Sequence, residues 1–440
     1  MNMRKQTLKA VVSAAVIAVG AAIPMAANAA SVTIDSVTQR WPWNNKIDIT
    51  YTVTDGQTLT ADPSNDVYMK IVFTAVIDGT TYAIDGNAIG ASATGSAEGT
   101  QHTATWIPPS NLKVKASGCT MSAALYAADV PSGDDYMVID LESNDPATAV
   151  HFEGLLHSQE LSNARYNTDL YKTSKMVLRK VPRWANREVL PNASSLPADG
   201  YPTGDNTSAS SYNSASNQQT NWVTRADYYI GVFPVTQAQY VKFGQSNPSA
   251  KTAVIAENEV GYRPVESMTW NDLRVAGTEP AEPVPPVEES NTGTYLQRLN
   301  YATGNRYAFD LPTEVMSEIA CRAGVAGTHY YWTSGVLGTY AVFNKSSTVA
   351  VGSKTPNAWG LYDTIGNVWE FCLDRSGLSN MADNVDPFAP YAATGGSIRV
   401  RGSGTWSSNT VKYFYASYRN LASRDWSKDT CGFRVSCIVK

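Results

Sequence analysis

The chain has 440 residues, of which 43% are hydrophobic and only 17% are charged, and its formal net charge at pH 7 is −5. This length is sufficient for two or three domains with hydrophobic cores of their own. The modest acidic charge and the lack of a basic patch exclude nucleic acid as the expected partner.

Residues 1–29 predict a secretory signal peptide. The apolar run Ala10–Met25 is followed by the small-residue cleavage pattern Ala27–Ala29. Three basic residues form the charged start of the segment: Arg4, Lys5 and Lys9. The alternative is an uncleaved membrane anchor, but the run is short for a span and contains Pro24. We therefore expect a secreted, periplasmic or cell-envelope protein with no transmembrane span after cleavage.

Residues 31–155 predict an all-β domain. Ile47–Val53 alternates apolar and polar residues, as a half-buried strand does. Val67–Ile77 is rich in β-branched and aromatic residues and ends at Asp78-Gly79, a hairpin signal. Three more runs of the same kind follow: Thr103–Ile107, Cys119–Ala127 and Tyr136–Leu141. Short strands separated by turn residues favour an immunoglobulin-like β-sandwich.

Residues 176–440 predict a second domain, which opens with the strand Met176–Pro182. Residues 193–221 are dominated by Ser, Asn, Gly, Asp and Thr and predict a long exposed loop. Residues 277–290 are rich in Pro and Glu and predict a surface insertion. Two helices are predicted from their caps: Thr236–Phe243, and Pro312–Ala323 with Thr313 as its cap.

One segment of this second domain, Asn357–Glu370, combines two glycine turns with the run Asn-Val-Trp-Glu. It resembles the signature of the formylglycine-generating enzyme (sulfatase-modifying factor) family. Four further segments resemble that family's motifs in the same order: Tyr228–Tyr240, Arg263–Asp272, Leu311–Gly324 and Cys431–Val435. The resemblance implies an α+β fold of the formylglycine-generating-enzyme or C-type-lectin-like kind for residues 176–440, preceded by the sandwich.

The resemblance does not extend to the catalytic residues. In the family's enzymes, two cysteines that follow a Gly-Gly-Ser-Trp or Gly-Gly-Ser-Tyr motif bind copper. The matching positions here hold Ser408 and a residue at or beside Tyr413, and no cysteine lies between Cys372 and Cys431. Thiolates are the soft ligands that select Cu(I), and hydroxyls substitute poorly for them. Related iron enzymes need a histidine cluster, and this chain has four scattered histidines. We expect no catalytic residues, no copper and no iron.

The resemblance also implies a structural Ca²⁺ site. Its ligands would be the side chains of Asp363 and Glu370 and the carbonyls of Gly366 and Val368. Carboxylates and freed backbone carbonyls are the oxygen ligands that Ca²⁺ prefers. The alternative is that the two carboxylates only cap turns.

The segment Trp406–Asp429, the C-terminal stretch, is rich in Ser, Asn, Tyr, Arg and Asp. Binding loops use this mixture of rigid aromatic and adaptable polar side chains. The candidate ligand-binding residues are Ser407, Ser408, Asn409, Tyr413, Tyr415, Tyr418, Asn420, Arg424, Asp425 and Trp426. The stretch lies where the family's enzymes place their active site. We expect it to carry binding and to contribute little to folding; the alternative is an ordinary polar surface loop.

The same stretch resembles the variable region of diversity-generating retroelement target proteins. Gly404-Thr405-Trp406 and Gly432-Phe433-Arg434 bracket it in the way that such regions are bracketed. The leading hypothesis is a non-catalytic protein that binds an unknown extracellular protein or glycan. The alternatives are a metal-dependent oxidoreductase of the sulfatase-modifying type and a structural envelope protein.

The five cysteines are an odd number, so at least one is unpaired within the chain. Cys321 and Cys372 are expected to be buried thiols. Cys431 and Cys437 flank the last strand, and that spacing places them about 20 Å apart in a regular strand, too far for a disulfide.

Overall fold

A computed structural model describes most of the chain between residues 31 and 438. The described residues are 31–39, 47–54, 67–84, 101–106, 108, 114–129, 133–156, 159–190, 201–202, 221–252, 261–275, 284–289, 292–325, 337–375, 386, 397–401, 404–418 and 420–438. The predicted signal peptide, most of the 193–221 loop and much of the 277–290 insertion lie outside these residues. Within them, no helix combines the length and the apolar character needed to span a membrane.

The contacts divide the chain into two units. The first unit comprises Met1–Ser132 and Gly154–Tyr166, and the second comprises Gly133–Glu153 and Asn167–Lys440. The mixture of sheets and short helices confirms the predicted α+β class.

The first unit contains two three-stranded antiparallel sheets. One has the order β1-β2-β5 and the other β4-β3-β6. Their strands are β1 (Ser31–Gln39), β2 (Ile47–Thr54), β3 (Val67–Ile77), β4 (Thr80–Ile84), β5 (Gln101–Trp106) and β6 (Cys119–Asp129). The predicted hairpin joins β3 to β4, with Asp78 and Gly79 at φ 48° and 77°, as a two-residue primed turn requires. Tyr51 and Phe73, one from each sheet, meet edge to face at 5.1 Å within a shared core.

The second unit is built on a six-stranded antiparallel sheet of order β13-β18-β12-β9-β7-β8. Its strands are β7 (Tyr136–Asp140), β8 (Val150–Glu153), β9 (Lys175–Val181), β12 (Tyr228–Gly231), β13 (Phe309–Asp310) and β18 (Ser436–Ile438). The short strands β10 (Tyr201–Pro202) and β11 (Asn221–Trp222) form a separate pair.

The placement of β7 corrects the predicted assignment of Tyr136–Leu141 to the sandwich of residues 31–155. Tyr136–Asp140 pairs with Lys175–Val181, so it belongs to the second unit. The reason is burial: Tyr136, Met137, Val138 and Ile139 are all buried. A strand buried on both faces needs an interior position in a sheet, with helices or other strands above and below it.

A four-stranded sheet completes the second unit, with the order β16-β15-β14-β17. Its strands are β14 (Trp369–Arg375), β15 (Ile398–Arg401), β16 (Asn420–Ala422) and β17 (Cys431–Phe433). β14 and β17 run parallel, and the other two pairs are antiparallel. This sheet carries both ends of the C-terminal stretch, because the stretch follows β15, contains β16 and precedes β17.

Seven α-helices are described: α1 (Gln159–Tyr166), α2 (Leu170–Thr173), α3 (Gln237–Tyr240), α4 (Trp270–Leu273), α5 (Tyr295–Ala302), α6 (Glu314–Arg322) and α7 (Leu337–Tyr340). The two predicted helices are confirmed as α3, which continues as a 3-10 turn to Phe243, and α6. The Thr236 and Thr313 side chains each accept a hydrogen bond from the third helical N–H, so both threonines act as caps.

Candidate ligand-binding site

The candidate ligand-binding residues divide into exposed and half-buried side chains. The exposed ones are Ser407, Asn409 and Asp425. The half-buried ones are Ser408, Tyr413, Tyr415, Tyr418, Asn420, Arg424 and Trp426. None of the ten is fully buried, so each presents part of its side chain at the surface of the second unit.

The middle of the C-terminal stretch is anchored by Phe414, which is fully buried in a small core together with Cys321 and Ile365. Gly404 packs against this ring: a Cβ at residue 404 would lie 2.4 Å from Phe414 Cε1, and its φ is +90°. Only glycine tolerates both the close approach and this backbone conformation. The anchor holds the polar positions on either side in place.

Three aromatic rings of the site region lie in a row. The Tyr413 and Tyr418 rings meet edge to face at 5.2 Å, and the Tyr418 ring lies 5.5 Å from that of Trp369. Tyr413 packs against the small core, whereas Tyr418 and Trp426 pack against the main core of the unit. The expectation that the stretch contributes little to folding is therefore wrong for these residues, because amphipathic rings bury one edge while exposing the other.

Arg401 fixes the backbone beneath these rings. Its Nη2 donates to the carbonyl of Ala416 at 2.6 Å and its Nη1 to that of Ser417 at 3.2 Å. Nη2 also lies 2.9 Å from Glu318 Oε2 on α6, and the guanidinium is almost fully buried. Sequence reasoning missed Arg401, because its partners on α6 and in the C-terminal stretch lie far from it along the chain.

The far end of the stretch is held by the start of α4. The backbone N–H of Trp270 donates to the carbonyl of Arg424 at 3.0 Å. The Arg424 guanidinium lies 4.8 Å from the centroid of the Trp270 ring. Asn271 Nδ2 donates to Asp425 Oδ1 at 2.7 Å. Asn271 also escaped sequence reasoning, because its partner lies far along the chain.

Ser408 and Tyr413, which the sequence places at or beside the positions of the family's copper thiolates, carry hydroxyl groups. Ser408 Oγ accepts from the Thr405 N–H at 3.0 Å and lies 3.2 Å from Thr405 Oγ1. Tyr413 contributes to the row of rings described above. Neither arrangement supplies the soft donor that Cu(I) prefers.

All five cysteines lie in the described residues, and all are buried thiols outside any disulfide, which confirms the expectations for Cys321 and Cys372. Burial raises the pKa of the Cys372 and Cys431 thiols well above the ordinary value and raises the pKa of Cys437 to about 11. Burial in apolar surroundings therefore disfavours the reactive thiolate form at these three positions.

The predicted calcium segment is a tightly turned loop. Asp363, Gly366 and Asn367 all have positive φ, and a Cβ at Gly366 would lie 2.6 Å from the carbonyl oxygen of Val342. The Asp363 carboxylate accepts from the Gly352 N–H at 2.8 Å and from Asn367 Nδ2 at 3.3 Å. Burial raises the pKa of Asp363, opposed by these hydrogen bonds.

The Glu370 carboxylate forms a two-point ion pair with Arg434. Arg434 Nε donates to Glu370 Oε2 at 3.1 Å and Nη2 donates to Oε1 at 2.9 Å. Arg434 also donates to the carbonyls of Gly231 and Tyr362. In the part of the chain that the structure describes, no group of three or more His, Cys, Asp or Glu side chains is arranged to hold a metal ion. A cation bound at Glu370 would share this carboxylate with Arg434, so the calcium site stays a prediction.

Comparison with known proteins gives the family. The model of the sulfatase-modifying factor enzyme 1-like domain matches residues 186–437. The formylglycine-generating enzyme of Streptomyces coelicolor is 33% identical over 147 residues, which cover 29% of this chain and 46% of that enzyme. The serine/threonine-protein kinase pkn1 of Chlamydia pneumoniae is 37% identical over 187 residues, which cover 41% of this chain and 28% of the kinase. The chain thus spans less than half the length of either relative.

Among solved structures, Treponema denticola variable protein 1 matches with a TM-score of 0.45 and 20% identity, covering 60% of this chain and 95% of that chain. The family model carries the assignment, because it spans more than half of the chain and all the motifs from Tyr228 to Val435. It confirms the predicted formylglycine-generating-enzyme-like domain. The chain belongs to the sulfatase-modifying factor enzyme 1-like domain family.

Proposed function

We propose that this protein is a non-catalytic ligand-binding protein, secreted or held in the cell envelope, whose binding surface is the C-terminal stretch. One observation carries the proposal: the positions that the resemblance matches to the family's copper thiolates hold Ser408 and a residue at or beside Tyr413, while every cysteine of the chain is buried elsewhere. The fold is retained without the donors that the family's oxidase chemistry needs.

The surface itself supports binding. Tyr413, Tyr415, Tyr418 and Trp426 are each partly exposed, and all but Tyr415 pack against a core. Ser407, Asn409 and Asp425 offer exposed hydrogen-bonding groups in the same stretch. Rigid aromatic rings supply contact area at a low entropic cost, and short polar side chains adapt to the partner. The ligand is an extracellular protein or a glycan that presents polar and apolar groups together.

A finer proposal is that the stretch is a variable region of the diversity-generating type. Its two brackets, Gly404–Trp406 and Gly432–Arg434, are buried, whereas the ten candidate positions between them are exposed or half-buried. Buried framework residues around an exposed segment would allow substitutions without loss of the fold. A neighbouring reverse-transcriptase gene with a template repeat of this segment would support the proposal, and a genome without either would contradict it.

We expect no conversion of a sulfatase-type cysteine peptide to formylglycine, even with added copper. The physical reason is the lack of a thiolate pair at Ser408 and Tyr413. The measurement is mass spectrometry of the peptide after incubation with the protein, alongside an active formylglycine-generating enzyme as the positive control. Turnover above the protein-free sample would contradict the proposal and favour an oxidoreductase.

We also propose the structural calcium ion at Asp363 and Glu370. A bound ion stabilises the folded state by mass action, by about 3 kcal/mol when its concentration is about 100 times the dissociation constant. Chelation should then lower the melting temperature of the calcium-loaded wild type and leave that of Asp363→Asn nearly unchanged. If the wild type melts at the same temperature with and without chelator, the loop binds no stabilising calcium ion. The ion pair between Glu370 and Arg434 would then hold the loop without a metal.

A further inference from the structure

A second recess of the second unit lies outside the C-terminal stretch. It is an open cavity of about 490 Å³, bounded by the segment 244–248, the first turn of α4 and the residues that begin α5. This volume falls within the range of about 300–1,000 Å³ that is typical of small-molecule sites. Its floor includes Tyr240, whose ring stacks on that of Tyr295 at 5.2 Å and 5°, so the floor is rigid.

Two amide side chains of this recess hold buried oxygens that have no hydrogen-bond partner among the described residues: Gln245 Oε1 and Asn271 Oδ1. Leaving a buried acceptor unsatisfied costs about 1–3 kcal/mol. Asn271 commits its Nδ2 to Asp425, and its Oδ1 accepts from no donor among the described residues. Small rotations of these side chains would satisfy both acceptors with donors from a ligand in the recess.

The charged groups of the recess balance each other. Arg298 donates through Nε to the carbonyl of Gly293 at 2.8 Å and through Nη1 to that of Phe243, which fixes the guanidinium and leaves Nη2 for a ligand. Asp272 uses Oδ2 to cap α4 by accepting from the N–H and hydroxyl of Thr269, both at 2.7 Å, which leaves Oδ1. One cation and one anion, both anchored, favour a ligand without net charge.

We infer that this recess is a binding site for a neutral saccharide unit. Hydroxyl groups on a ring are both donors and acceptors, and they match a wall that alternates amide and carboxylate acceptors with a guanidinium donor. The site goes beyond the function proposed for the C-terminal stretch, because no residue of that stretch lines it. The two sites adjoin through the hydrogen bond between Asn271 and Asp425.

The test begins with an array of neutral and uronic-acid oligosaccharides, followed by calorimetric titration of the tightest neutral glycan. Ser246 is exposed and lines the recess, so Ser246→Trp should fill it and abolish binding without unfolding the protein. The matched control is Asn144→Trp, an equally bulky change at an exposed turn outside the recess. We expect the wild type and Asn144→Trp to bind the glycan with equal affinity, and Ser246→Trp to show no binding.

A second variant removes the side-chain amide that carries the acceptor. Gln245→Met keeps the approximate size of the side chain and deletes the amide, including the unsatisfied Oε1, so it should leave the melting temperature nearly unchanged. Affinity for the glycan should fall by about tenfold, the value of one good hydrogen bond.

Three outcomes would overturn the inference: no neutral glycan binds the wild type, only uronic-acid glycans bind, or the bound glycan is kept by both Ser246→Trp and Gln245→Met. A glycan that is lost in Tyr415→Ala but kept in Ser246→Trp would assign binding to the C-terminal stretch, which supports the proposed function and rejects the recess. A glycan that is kept in Tyr415→Ala but lost in Ser246→Trp would assign binding to the recess. The ligand of the C-terminal stretch would then be a different molecule.

Discussion

Replacing Glu370 by alanine is expected to lower the free energy of unfolding by about 3–5 kcal/mol, the usual cost of removing one partner from a buried ion pair. Both carboxylate oxygens of Glu370 accept from Arg434, and both side chains are almost fully buried. The variant would leave the Arg434 guanidinium charged and enclosed. Urea unfolding measures the change, with an unaltered slope showing that the folded state is otherwise the same.

The matched control for this prediction is Glu142→Ala, which removes the carboxylate of the exposed pair with Lys242. Its effect should stay within about 1 kcal/mol, because water and salt screen surface pairs. Repeating both measurements with chelator separates the ion pair from a calcium contribution. A change below 1 kcal/mol in Glu370→Ala would contradict the structural role given to this pair.

Replacing Arg401 by methionine is expected to cost a similar amount, about 3–5 kcal/mol, and to loosen the candidate binding surface. The guanidinium pairs with one carboxylate oxygen of Glu318, whose other oxygen pairs with Arg322. It also donates to the carbonyls of Ala416 and Ser417, so its loss leaves two buried carbonyls without this donor. Unfolding in urea gives the free energy, and near-ultraviolet circular dichroism reports the ordering of the neighbouring aromatic rings.

Arg306→Met is the matched control for Arg401→Met. Arg306 also donates to two backbone carbonyls, those of Pro146 and Ala147, but it is exposed. Surface substitutions usually change stability by no more than about 0.5 kcal/mol. If the two variants lose equal amounts of stability, burial of Arg401 is not what holds the stretch in place.

Local signals in the sequence predict local structure well. Thr236 and Thr313 mark the starts of α3 and α6 because a capping side chain acts only three residues away. The bounds of β3 follow from its β-branched and aromatic run, and Asp78-Gly79 marks the turn after it. In each case the interaction that decides the structure lies within one short window of the chain.

Non-local pairing was not predictable in the same way. The buried run from Tyr136 to Ile139 indicates a strand, yet its partner Lys175–Val181 is set by the packing of the whole second unit. Glu370 meets Arg434 across 64 positions, a pairing that no spacing rule indicates. A calcium ligand and an ion-pair partner require the same side chain, so the sequence alone leaves both open.

The candidate ligand-binding site shows the same contrast between what local sequence signals predict and what long-range packing decides. Its composition indicates the exposed polar positions, but not which aromatic rings also support the fold. The sequence predicts Tyr413 and Trp426 as binding residues. In the structure, each of them also packs against a hydrophobic core. Tests of binding should therefore change residues with little structural role, such as Ser407 and Asn409.

We propose that the C-terminal stretch binds a ligand and catalyses no reaction on it. The most direct measurement compares the wild type with the triple variant Ser407→Ala, Asn409→Ala and Tyr415→Ala on an array of glycans and envelope proteins, with melting curves of both. We expect the triple variant to remain folded and to lose at least tenfold in affinity for the wild type's ligand, because an aromatic anchor is worth about 2 kcal/mol. A folded triple variant that keeps every ligand of the wild type at full affinity would contradict the claim.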